Sequence, residues 1–128
     1  MILDLLVLYL YALIFATIGV AIYGVVARSN VAKKIIALTI LGDTVNLLLV
    51  LLGYRFVERP APPVVTSLVP TSRDIEYLVE HGVDPLLQAF VITAIVINLA
   101  VTALLVFLAI HAYHRFGTLE MDEMGGEV

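Results

Sequence analysis

The stretch DPLLQAFVITAIVINLAVTALLVFLA, residues 84–109, decides the fold. After its opening aspartate it carries no charged side chain, and its polar ones are Gln88, Thr93, Asn98 and Thr102. At ~1.5 Å per residue, a helix this long crosses the ~30 Å hydrocarbon core of a bilayer. Asp84-Pro85 suits a helix start, because proline at the first helical position loses no needed hydrogen bond and aspartate caps free amides. Read plainly, the run is a membrane anchor. Its few, spaced amides and hydroxyls also permit a helix lining part of an ion path.

Composition agrees. Of 128 residues 62% are hydrophobic and 14% charged, with a mean hydropathy of +1.07. A soluble domain needs a polar surface that this chain cannot supply, so the expectation is an all-α integral membrane protein with three transmembrane helices. Cysteine is absent, which excludes disulfides, thiolate metal sites and cysteine nucleophiles. A net charge of −4 argues against a nucleic-acid partner. With no tryptophan, interfacial aromatic roles fall to Tyr9, Tyr11, Tyr23, Tyr54 and Tyr113.

The first helix is expected over about 2–27. Its run carries Asp4 and no basic leader, so it reads as a retained transmembrane helix rather than a signal peptide. Gly19 and Gly24 offer places for a neighbouring helix to approach. The second helix is expected over about 33–54 and the third over 85–113. Arg28, Lys33 and Lys34 crowd the turn between the first two, which the positive-inside rule puts on the cytoplasmic side, with the N-terminus outside. The loop 55–84 is then external. Its arginines are diluted and outnumbered by Glu58, Asp74, Glu76, Glu80 and Asp84.

Four prolines keep the first half of that loop extended. Its second half, 72–81, predicts a short surface helix capped by Thr71 or Ser72, with an Ile75-Leu78-Val79 stripe and Gly82 to end it. A lid packed on neighbouring subunits is the expectation. The tail 116–128 is acidic, with Glu120, Asp122, Glu123 and Glu127, and reads as mobile or docked on a partner. No internal repeat supplies the inverted symmetry of a self-contained transporter.

Asp43 is the outlier. It lies near the middle of the second helix, where a charge costs ~2.5–3.5 kcal/mol on insertion scales. Thr39, Asp43 and Asn46 share one helical sector, and Thr44 points elsewhere. On the third helix Asn98 and Thr102 share a face with Gln88 nearby, while Thr93 lies opposite. The two stripes are expected to face each other or a common partner helix. The ion-path candidates are therefore Asp43, Thr39, Asn46, Asn98, Thr102 and Thr93. For Asp43, ion or proton movement stands against an interhelical hydrogen bond that only fixes packing. For the amide and hydroxyls, bonding to a neighbouring helix is the commoner use.

His111 and His114 are three apart, but no third ligand is near, so they read as interface residues and not as a metal pair. There is no nucleotide loop, nucleophile constellation or catalytic carboxylate pair. No catalytic centre and no cofactor is expected in this chain by itself.

Three stretches resemble a known family. IYGVVARSNVAKKIIAL (22–38), GDTVNLLLVLLG (42–53) and DPLLQAFVITAIVI (84–97) are similar to the C subunit of Mrp-type multisubunit Na+/H+ antiporters, the last being close to that family's DPLPQALVLTAIVI. That subunit is in turn similar to the three-helix chain 4L (NuoK) subunit of respiratory complex I. The resemblance implies a non-catalytic subunit of a prokaryotic cell membrane, packed beside antiporter-type subunits and serving Na+ or H+ movement. The same module occurs in archaeal membrane-bound hydrogenases and sulfur-reducing complexes. The chain departs from the pattern at Ala37, Leu87 and Asn98. Against the complex I subunit, Thr39 and Asn98 stand where glutamates carry its proton path, leaving Asp43 as the one membrane-embedded acid able to stand in. This favours the Mrp branch over the quinone-reducing one.

Overall fold

The structure is a computed structural model that describes residues 1–54 and 59–125. The chain is all-helical: α1 (Ile2–Ala27), α2 (Val31–Leu52), α3 (Ser72–His81), α4 (Pro85–Phe116) and the single turn α5 (Met121–Met124). α1, α2 and α4 are long and apolar enough to cross a membrane. The loop charges Arg55 and Glu58 and the tail residue Glu127 lie outside the described residues.

α2 is the middle helix, with α1 and α4 packed on it rather than on each other. The α1–α2 turn is closed by local chemistry. Asn30 caps α2 by accepting from the Lys33 amide at 3.2 Å, which sets the start at Val31, ahead of the expected 33. Lys34 Nζ donates to the Val25 carbonyl at 2.7 Å, satisfying an acceptor that the end of α1 leaves free. At the other end Gly53 closes α2 after Leu52, short of the expected 54. Tyr11 Oη donates to the Leu51 carbonyl at 3.3 Å and ties α1 to that end.

Only Ile14, Ala21, Ala37 and Val91 form a buried apolar core among the described residues. Large apolar side chains such as Leu8, Phe15, Ile92 and Phe107 stand more than half exposed. In water that surface would be prohibitive, but in hydrocarbon it is the matching one. Packing therefore rests on small residues. A Cβ on Gly24 would lie 2.8 Å from the Ala37 Cβ, whereas one on Gly19 would meet nothing within 4 Å. Of the two glycines expected to admit a neighbour, Gly24 does so within this chain and Gly19 does not.

The interhelical loop is stitched down at its return. Ala61 bridges Gly82 through Ala61 N–H to the His81 carbonyl (2.8 Å) and Val83 N–H to the Ala61 carbonyl (3.1 Å). Asp84 N–H then donates to the Gly53 carbonyl at 3.1 Å, fixing the start of α4 to the end of α2. α3 forms where expected, with Thr71 as N-cap in a reciprocal capping box with Asp74, and Gly82 as its end. Leu78 of its apolar stripe is half-buried, while Ile75 and Val79 stay exposed. Asp84 caps α4 by accepting from Leu86 N–H at 2.9 Å.

α4 continues to Phe116, beyond the expected 113. Nothing in HAYHRF breaks a helix, His114 and Arg115 favour its C-terminal dipole, and Gly117 ends it in the left-handed region at φ 72°. Read from sequence, the tail is mobile or held by a partner. In the structure its described part is held by the chain's own turn: Val31 N–H donates to the Leu119 carbonyl (3.0 Å) and Met121 N–H to the Ser29 carbonyl (3.1 Å).

The glycines give a paired test. Gly19→Ala should be neutral or stabilising by ~0.5–1 kcal/mol, as alanine in an open helix position is. Gly24→Ala should destabilise by ~1–3 kcal/mol, as overpacking does. Thermal unfolding in one detergent compares them, and equal midpoints would show that α1 and α2 do not pack through Gly24.

Candidate functional site

Two polar rungs cross the seam between α2 and α4. Asn98 Nδ2 donates to Asp43 Oδ1 at 3.0 Å. One turn nearer the α1–α2 turn, Thr39 Oγ1 and Thr102 Oγ1 lie 3.4 Å apart. Thr39 Oγ1 also donates to the Ile35 carbonyl at 3.0 Å, so the Thr102 hydroxyl is the donor across the seam. The two rungs are four residues apart on each helix, Thr39 to Asp43 and Asn98 to Thr102, one register of an antiparallel pair. The expected facing of the two stripes is thus the arrangement found for these four residues.

The Asp43 rung depends on a glycine. A Cβ at position 42 would sit 3.1–3.2 Å from the amide atoms of Asn98, so Gly42 lets that side chain lie against α2. Asn46 and Asn98 share a groove of about 440 Å³ with Gly42, Val45, Ala94 and Ile97. Thr93 is not part of the cluster. It is exposed, and its hydroxyl returns to the Ala89 carbonyl of its own helix at 3.3 Å. Thr44 likewise bonds its own helix, through the Ile40 carbonyl at 2.6 Å.

Asp43 itself is exposed on the three-helix unit. A hydrogen bond to a charged group contributes about 1.5–3 kcal/mol in proteins, and interhelical bonds in membranes average nearer ~0.6 kcal/mol. One amide therefore offsets only part of the ~2.5–3.5 kcal/mol that a mid-membrane carboxylate costs. Its second oxygen has no hydrogen-bond partner among the described residues.

A second polar cluster, at the turn end, was not legible from sequence. Glu120 accepts from Asn30 Nδ2 at 2.6 Å and from Ser29 Oγ at 2.7 Å. These bonds, Asn30's first and then Ser29's, hold the Glu120 carboxyl below the ordinary 4.5. At the loop end, the backbone and then the hydroxyl of Thr71 lower Asp74 in the same way. Among the described residues no group of three or more His, Cys, Asp or Glu side chains gathers as a metal site would require. His114 instead sets its ring edge-on to Tyr113, and His81 stacks on Tyr77.

Residues 9–126 match the family model for NADH-ubiquinone/plastoquinone oxidoreductase chain 4L. The chain belongs to this family. It is 30% identical over 120 residues to the C subunit of the Na+/H+ antiporter of Bacillus subtilis, covering 91% of this chain and 93% of that one. An uncharacterised protein of Methanocaldococcus jannaschii is 36% identical over 100 residues, 78% of this chain and 73% of the relative. Among solved structures, a chain of the membrane-bound sulfane sulfur reductase, an archaeal respiratory membrane complex, superposes with a TM-score of 0.72 at 36% identity. That match covers 88% of this chain and 94% of the other. For this chain 4L family member the polar seam is thus set in a three-helix fold shared with subunits of larger membrane assemblies.

The Glu120 clasp predicts a signed pH response. Because its pKa is depressed on docking, the stabilisation is complete above the ordinary 4.5 and is lost as pH falls through the lowered value. The amide resonances of Val31 and Met121 in detergent should hold steady from neutral pH down to that range and shift only below it. Glu120→Ala should shift both at neutral pH. A titration between neutrality and 4.5, or an unperturbed Glu120→Ala spectrum, would contradict the clasp.

Proposed function

We propose that this chain is a non-catalytic membrane subunit of an Mrp-type cation/proton antiporter module and helps form its Na+/H+ path. The observation that carries the reading is the Asp43–Asn98 rung, an acid held at mid-membrane depth on an outward face by a neighbouring helix's amide. Side chains that only fix packing have no need of a carboxylate there, since an amide or hydroxyl bonds as well at less cost. Thr39, Thr102 and Asn46 extend the polar seam to either side of it. The family and its antiporter relatives support the assignment.

The setting follows the same comparisons. Antiporter subunits at 30–35% identity and a chain of a respiratory complex at 36% support the two settings alike, a stand-alone antiporter and a module coupled to a redox complex. In either case the neighbours are antiporter-type membrane subunits. The basic turn with Arg28, Lys33 and Lys34 supports a cytoplasmic turn and tail with the N-terminus outside. A chain 4L role in a complex I pumping arm is the alternative that the family itself raises.

The test combines recovery and transport. With an affinity tag after Val128, mild extraction should recover antiporter-type subunits, and iron–sulfur subunits as well if the module is redox-coupled. Co-purifying quinone-site subunits would instead favour the complex I arm. Measured per recovered complex, Asp43→Asn should lower Na+-dependent proton movement in everted vesicles by about tenfold or more, about 1.4 kcal/mol on the barrier. Unchanged transport in an intact complex would reduce the chain to a structural spacer.

A further inference from the structure

We propose that the outer face of the α2–α4 seam, where Asp43 emerges, receives a transmembrane helix of another subunit that sets a lysine or arginine against the Asp43 carboxylate. The proposal rests on the subunit reading above and names the partner of the same site.

The charge argument comes first. Asn98 reaches Oδ1 only, and among the described residues Oδ2 has no hydrogen-bond partner and no cation lies within ion-pair distance of the carboxylate. The nearest lysine in sequence on α2 is Lys34, nine residues or ~13 Å along the axis, and its ammonium is already committed to the Val25 carbonyl. The histidines and arginine of α4 lie at its far end, beyond His111. The described chain therefore brings an anion to mid-membrane depth, aims it outward and supplies one neutral donor. Lipid tails offer nothing to the remaining oxygen, so the complement is a cationic side chain on a neighbouring helix.

Shape supplies the second argument. Ile36 and Asp43 stand seven residues apart, two turns on one face of α2. Ile36 lines an open groove of about 420 Å³ together with Ala32, Val106, Ala109, Ile110 and Tyr113, and no polar surface lines it. The groove lies at the turn end of the α2–α4 seam, and Asp43 stands two turns beyond Ile36 on the same face of α2. An apolar trough with one carboxylate two turns beyond it matches an apolar helix bearing a single basic residue. Asn98 fixes the orientation of the carboxylate towards such a residue.

The experiment is photo-crosslinking in the intact complex in native membranes. A benzoylphenylalanine at Ile36 or at Ile110 should capture one transmembrane segment of another subunit, identified by mass spectrometry, with a lysine or arginine about two turns from the crosslinked residue. Exchanging the charges, Asp43→Lys with that basic residue changed to aspartate, should restore complex recovery that either single change lowers by roughly tenfold or more. Infrared difference spectra with isotope-labelled aspartate, compared against Asp43→Asn, should show Asp43 as a carboxylate. Crosslinks to lipid alone, to a second copy of this chain, or to a segment without lysine or arginine would overturn the proposal, as would a protonated Asp43. Capture of an antiporter-type helix that lacks a basic residue would do so while leaving the proposed function standing. Capture of a subunit with no antiporter likeness would count against both.

Discussion

A membrane interior gives polar side chains no water to fall back on, and the α2–α4 seam is arranged around that fact. Asp43, Asn98, Thr39 and Thr102 sit on helices that are otherwise nearly all apolar, and each finds part of what it needs across one interface. The other surfaces of the bundle need no such specificity, because lipid and leucine are equivalent neighbours. Small residues set the distances: Gly24 against Ala37 brings α1 onto α2, and Gly42 against Asn98 brings α4 close enough for the rungs to form. A side chain at position 42 would press on the Asn98 amide that gives the carboxylate its donor.

Much of this was legible in the chain itself, for reasons that differ from element to element. The three spans follow from uninterrupted apolar length, and α3 from the Thr71, Asp74 and Gly82 signals, all of which are local. The facing of Thr39-Asp43 and Asn98-Thr102 was legible because two sparse polar stripes in hydrocarbon have few other places to go. The uses of Thr93 and Glu120 were not. Thr93 sits in the same helix as Asn98 yet satisfies its hydroxyl on its own backbone, an option every membrane threonine has. Glu120 bonds residues about ninety positions away in sequence, and no periodicity or spacing marks that pairing. Gly19 illustrates the limit from the other side: a smooth patch is visible in sequence, but whether this chain fills it is not.

The ends of the seam determine what it can do. At the loop end, Asp84 N–H is bonded to the Gly53 carbonyl, so the first residue of α4's cap is anchored to the last turn of α2. At the turn end, Glu120 grips Ser29 and Asn30 just beyond the start of α2, with two backbone bonds beside it. The two polar rungs lie between these anchors. Sliding α4 past α2 by one turn, ~5.4 Å, would break both anchors and both rungs together. Such a concerted loss gives the seam a single register rather than a choice of two. A seam pinned in this way is a poor gate and a good presenter: it holds Asp43 at fixed depth and fixed azimuth. On the proposed reading, any change of state then comes from side-chain rotation or from neighbouring helices, not from sliding of α4 on α2.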